Sequence, residues 1–310
     1  MNITKQRLHN MQYFSFFGVL IGSFLFCAFP PHIFAGLILN ADLRIAYEDN
    51  IVGLLSDQRV QTGGGGGGYS SRGMVRSGSM QAGGMGGQGS GKDRYIGSSS
   101  GSSQSPGDFS TTVSAQAGGY GEVGRNWSIF AKGFAEHTSY NTYTDLDATI
   151  GGITIGMITR FTNSLSAGAS VFSKVKHFGD SERDADAFGG ALSLKKKLSP
   201  SLWLRGFGEY EKNVADSVYF SYIGTRIGAG VGYSLAVNTL ITPGYSYLVQ
   251  KYDEPLGAEM KTHTAFLSAE WSLTKNWAVG GEYDFQLSEE NVTGTNTTNN
   301  IFSLALRYSY

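Results

Sequence analysis

The feature that most constrains this chain is a strict period-two alternation of apolar and polar residues, repeated in segments too long for ordinary strands. The first runs over Leu37–Asp49. Leu37, Leu39, Ala41, Leu43, Ile45 and Tyr47 form one face, and Asn40, Asp42, Arg44 and Glu48 the other. Eleven more follow, over 109–123, 127–138, 149–161, 164–177, 187–198, 201–212, 222–236, 239–252, 261–273, 277–288 and 299–310. Each is about 10–14 residues. A soluble strand is usually about 5–6 residues, whereas a tilted strand crossing a bilayer takes about 9–11.

The connectors alternate as well. Those at 124–126, 162–163, 199–200, 237–238 and 274–276 are short, and those at 139–148, 178–186, 213–221, 253–260 and 289–298 are longer and polar. Short turns on one side and long loops on the other is the layout of bacterial outer-membrane barrels. The expectation is an all-β fold: a transmembrane, antiparallel, up-and-down β-barrel of about 12 strands over residues 36–310, with both chain ends at the periplasmic side. The alternate faces fit a wetted interior. Gly224, Arg226, Gly228, Gly230 and Gly232 alternate with Ile223, Ile227, Ala229 and Val231. A face that mixes glycine and charge would make a poor soluble core. Aromatic residues gather near the segment ends: Trp127, Phe161, Trp271, Trp277 and Tyr310 at one end, Tyr47, Phe188, Tyr210 and Phe285 at the other. Two such girdles mark the two interfaces of a membrane.

Composition removes several alternatives. Cys27 is the single cysteine, so disulfide frameworks, cysteine-ligated zinc and iron–sulfur clusters are excluded. The formal net charge of −1 offers no basic face for nucleic acid. Residues 1–35 read as a secretory signal peptide. Lys5 and Arg7 precede an apolar run over 13–29, Pro30-Pro31 breaks it, and Ile33-Phe34-Ala35 supplies a small-residue exit. The stretch 58–107 is rich in Gly and Ser and includes an unbroken run from Gly63 to Gly68. It cannot bury enough apolar surface to order itself, so a disordered extracellular insert is expected. The glycine run is no phosphate loop, because no GK[ST] follows it.

The last segment ends Leu306-Arg307-Tyr308-Ser309-Tyr310. This resembles the terminal-strand signal of outer-membrane β-barrel proteins, a final aromatic preceded by alternating apolar residues. The resemblance implies that Leu306, Tyr308 and Tyr310 are read by the barrel-assembly machinery. The stretch Leu43–Ile51 is similar to the first strand of the "barrel porin 2" type of outer-membrane protein.

Functional residues are sought on the polar faces. By parity the inward basic residues are Arg44, Lys132, Arg160, Lys174, Lys176, Lys195, Lys197, Arg205, Arg226 and Arg307. The inward acids are Asp42, Glu48, Glu136, Glu209, Glu211, Glu270, Glu282 and Asp284. Lys174, Lys176, Lys195, Lys197, Arg205 and Arg226 are expected to form a basic wall of a pore, and Glu270, Glu282 and Asp284 an acidic one. A transverse field of this kind orients polar solutes. The expected function is a porin-like outer-membrane channel for small polar or mildly anionic solutes. The alternatives are a non-conducting structural or assembly barrel that acts through its extracellular loops, with the charges bracing a narrow bore, and, third, an outer-membrane enzyme. His177 beside Asp180, Ser181, Glu182 and Asp184 is the raw material for the enzyme. His137, His177 and His263 lack metal-ligand spacing, so neither metal nor cofactor is expected. The expected partners are outer-membrane lipid and lipopolysaccharide, the assembly machinery and small polar solutes, with no nucleic acid.

Overall fold

The computed structural model describes residues 36–49, 107–255, 257–291 and 296–310. The expected leader and all but the last residue of the insert lie outside the described residues. The strands are β1 (Gly36–Glu48), β2 (Asp108–Val123), β3 (Trp127–Tyr140), β4 (Ala148–Arg160), β5 (Leu165–Phe178), β6 (Ala185–Lys197), β7 (Leu202–Ala215), β8 (Tyr222–Ala236), β9 (Thr239–Tyr252), β10 (Glu259–Ser272), β11 (Trp277–Glu290) and β12 (Asn296–Ser309). Each pairs antiparallel with its chain neighbours, and β1 pairs with β12, so the barrel closes and no sheet edge is left. Both described termini lie at the short-turn end. Opposed residues followed around the wall from Gly36, the first residue of β1, arrive at Thr297, at the far end of β12. That stagger is what strongly tilted strands produce.

The two faces follow the alternation. Leu43, Ile155, Leu192, Ile227, Leu267 and Leu304 point outward and are exposed. A wall of exposed aliphatic side chains is stable only against hydrocarbon. The polar alternates point inward and are largely buried or half-buried. The girdle aromatics, among them Trp127, Trp271 and Trp277 at the short-turn end and Tyr47, Phe188 and Phe285 at the other, are also exposed.

The barrel has a second periodicity that alternation does not report. β3, β5, β7, β9 and β11 begin at residues 127, 165, 202, 239 and 277, so one hairpin recurs every 37 or 38 residues. Three of its short turns share one chemistry. The hydroxyls of Thr162, Ser199 and Thr274 accept from the N–H groups of Leu165, Leu202 and Trp277 at 3.0, 3.1 and 3.1 Å. Another short turn uses Gly124 at φ 74°, where a side chain would be strained. The long-loop ends repeat too. Tyr140 N–H donates to Asp147 Oδ1 at 2.7 Å, Phe178 N–H to Asp184 Oδ1 at 2.7 Å and Ala215 N–H to Ser221 Oγ at 2.9 Å. In each case the side chain closes a loop around one 3-10 turn.

Candidate functional site

Register places all ten basic and all eight acidic residues of the parity assignment on the inward face. It brings them together unevenly. On β5 and β7, Lys174 Nζ lies 2.6 Å from Glu211 Oε2 and Lys176 Nζ lies 2.7 Å from Glu211 Oε1. Lys176 also donates to Asn213 Oδ1 at 2.8 Å, and the Tyr222 hydroxyl donates to Glu211 Oε1 at 3.0 Å. Lys174 lies a further 3.8 Å from Glu209. These contacts cross β6, which is possible because β6 presents only Ala185, Ala187 and Gly189 at that level. Larger residues there would hold the lysines and glutamates apart.

On the other side of the barrel Arg307 binds Glu270 at 2.6 Å and Asp42 at 3.0 Å, and Arg44 lies 4.0 Å from Asp42. Glu282 is opposed by Ser268 and Ser303, and Asp284 by Phe266 and Ile301. Lys176 also donates to the Tyr222 hydroxyl at 3.3 Å, which links β5 to β8 on one side. Each of these contacts runs along the wall.

Lys195 and Arg205 stand directly opposite one another on β6 and β7, with Lys197 opposite Trp203 one pair nearer the short-turn end. Like charges directly opposed across two strands destabilise the pairing. Arg226 is opposed by Glu209 on β7.

The interior also carries aromatic rings that the sequence reading did not place. Phe130, Phe134, Phe172, Trp203, Phe207 and Phe266 point inward, each beside a glycine of the neighbouring strand: Gly156, Gly152, Gly189, Gly232, Gly228 and Gly244. A Cβ at any of these glycines would meet the ring. Each ring therefore lies over the bare backbone of its glycine partner. Each such pair is formed by two strands, so no single segment's pattern reveals it. Asp108 was missed for a simpler reason: it stands one residue before the expected start of its segment. Its carboxylate sits at the long-loop mouth and accepts from Thr142 N–H at 2.9 Å and Thr142 Oγ1 at 3.1 Å.

No family model matches the chain, and no curated protein does. Solved structures do. An outer-membrane channel from Pseudomonas putida F1 superposes with a TM-score of 0.56 at 10% identity, covering 91% of this chain and 99% of that one. The chain shares the closed β-barrel fold of that protein. The P. putida toluene transporter TodX reaches a TM-score of 0.44 at 10% identity, covering 89% of this chain and 90% of that one. The NanC porin reaches 0.46 at 9%, covering 64% and 93%.

Within this barrel the remaining candidates fall into place. His177 Nδ1 lies 3.0 Å from Asp184 Oδ2, whose other oxygen caps Phe178 N–H. That pair closes a loop. Among the described residues no three His, Cys, Asp or Glu side chains are grouped to hold a metal. Leu306 and Tyr310 face outward and are exposed, Tyr308 packs on Trp277 with ring centroids 5.0 Å apart, and Tyr310 N–H donates to Leu39 O at 2.9 Å across the β1–β12 closure. An apolar depression of about 650 Å³, lined by Ile129, Met157, Val171, Leu192 and Tyr210, opens on the outer wall. It faces lipid and lies outside the bore.

Proposed function

We propose that this barrel is a narrow outer-membrane channel for small polar or mildly anionic solutes. The observation that carries the reading is the direct opposition of Lys195 and Arg205 on the inward face, with Lys197 next to them. The pairing costs stability, and it concentrates positive charge on one wall near the periplasmic end. Glu270 on β10 and Glu282 on β11 lie three to five strands further round the ring. Twelve strands fall between the eight of a barrel filled by its side chains and the sixteen of an open channel, so a passing ion stays within about one Debye length, ~8 Å, of the wall and screening is weak. The fold likeness to a channel supports the same reading.

The test is the reversal potential of the purified barrel in a planar bilayer under a salt gradient. Anion preference is expected, and Lys195→Glu with Lys197→Glu should move the potential toward cations. An unmoved potential rejects the role of this wall. A non-conducting structural barrel is the second reading, favoured by the Lys174–Glu211–Lys176 network, which braces three strands. Absence of single-channel current would select it.

A further inference from the structure

Strand β8 offers the interior almost no side chains on its short-turn half, because Gly228, Gly230 and Gly232 face inward in succession. The outer two are covered: Phe207 lies on Gly228 and Trp203 on Gly232. Gly230 between them is not. A Cβ there would meet nothing nearer than Pro243 O at 3.3 Å, with Phe266 Cζ at 3.7 Å. Its partner on β9 is Gly244, which Phe266 covers. Its partner on β7 is Arg205. The result is a shallow niche with a glycine floor, aromatic rings around it and a guanidinium at its side. Lys195 stands across from Arg205, its Nζ 4.6 Å over the Trp203 ring, and the Arg205 Cζ lies 5.8 Å over the Phe207 ring.

We propose that this niche selects small carboxylates that carry a ring, such as aromatic acids or sugar acids. The proposal rests on the channel reading and narrows its solute class. A bare anion such as acetate gains only from Arg205 and Lys195. A ring-bearing acid gains that attraction and also contact with the ring faces, while the missing side chain at Gly230 leaves it room. Arg205 is directly opposed to Gly230 across β7 and β8, and residues so opposed are about 4.5–5.5 Å apart. A six-membered ring seated over Gly230 can therefore place its carboxylate beside Arg205 without leaving the aromatic faces. Contacts of this kind are worth about a two- to tenfold difference in affinity.

The experiment compares block of chloride current by benzoate, glucuronate and acetate in a planar bilayer. At least one ring acid should halve the current at about two- to tenfold lower concentration than acetate does. Phe207→Leu and Gly230→Leu should bring that ratio to one, and Arg205→Gln should weaken all three acids. Heat-modifiable gel mobility shows that each variant has folded. A second measurement needs no current. Trp203 is the inward-facing tryptophan, while Trp127, Trp271 and Trp277 face lipid. Saturable quenching of detergent-solubilised barrel by 4-nitrobenzoate, lost in Trp203→Phe and weakened in Gly230→Leu, supports the niche. If that quenching is found and no current flows, the channel reading falls and the niche stands. Equal block by all three acids, or quenching that does not saturate, overturns the proposal.

Discussion

Lys174 Nζ lies 2.6 Å from Glu211 Oε2, reaching across the full width of β6, and both side chains are excluded from solvent. Lys176 shares the same carboxylate from the next inward position of β5. One acid thus holds two ammonium groups, and Glu209 adds a weaker contact at 3.8 Å. Breaking such a pair leaves buried charge uncompensated, whereas replacing the whole group with apolar side chains can be nearly neutral.

Glu211→Gln is therefore expected to destabilise the barrel by about 3–5 kcal/mol. Lys174→Met with Lys176→Met and Glu211→Leu should cost much less, although the total charge removed is larger. Urea unfolding in lipid vesicles, followed by gel mobility, measures both. A mild effect of Glu211→Gln alone would show that water reaches the lysines.

The direction of each side chain is tested by charge. Leu267→Arg, at an exposed position in the middle of β10, should cost about 2–4 kcal/mol in a bilayer. Val231→Arg should cost about the same, because Val231 and Leu267 each stand five residues from the short-turn ends of their strands. Ser268→Arg faces inward opposite Glu282 and should be tolerated. Equal costs at Leu267 and Ser268 would mean that the faces are exchanged.

The glycine seats give a steric prediction. An alanine at Gly232 would place its Cβ within the Trp203 indole, so Trp203 must move, at about 1–3 kcal/mol. Gly232→Ala combined with Trp203→Ala should recover part of that cost. At Gly206 the nearest atom to a new Cβ is 3.9 Å away, so Gly206→Ala should be neutral or stabilising by about 0.4–1 kcal/mol. Denaturation midpoints of the three variants decide the matter.

Asp108 should govern the order of the long loop that follows β3. Its carboxylate accepts from Phe109 N–H at 2.8 Å, Thr142 N–H at 2.9 Å and Tyr143 N–H at 3.2 Å. Asp108→Ala removes all three partners, at about 1–3 kcal/mol for each buried group left unpaired. Chymotrypsin should then cut after Tyr143 faster than in the wild type, with the barrel itself intact. Unchanged cleavage would show that the loop is held by the backbone bonds alone.

By itself the sequence determined an architecture of about twelve strands, the length and tilt class of the strands, and which face of each is apolar. Those properties follow from a period of two and from the spacing of turns, and each is local to one segment or one connector. Tyr47 and Trp271 could be assigned to opposite girdles from their places at segment ends. Lys195, Lys197 and Arg205 could be put on one wall because neighbouring segments become neighbouring strands. The recurring Thr162, Ser199 and Thr274 turns, 37 residues or a multiple apart after one-residue slips, were legible too, but only to a reading that compares one hairpin with the next. The tertiary structure decided which side chains meet. Whether Lys174 spends its charge on Glu211 depends on the register of β5, β6 and β7 together and on the small size of Ala187 between them. Whether Phe207 can lie over the neighbouring strand depends on Gly228 standing opposite it there. Register is fixed by closure of the whole ring, so no single segment can carry that information.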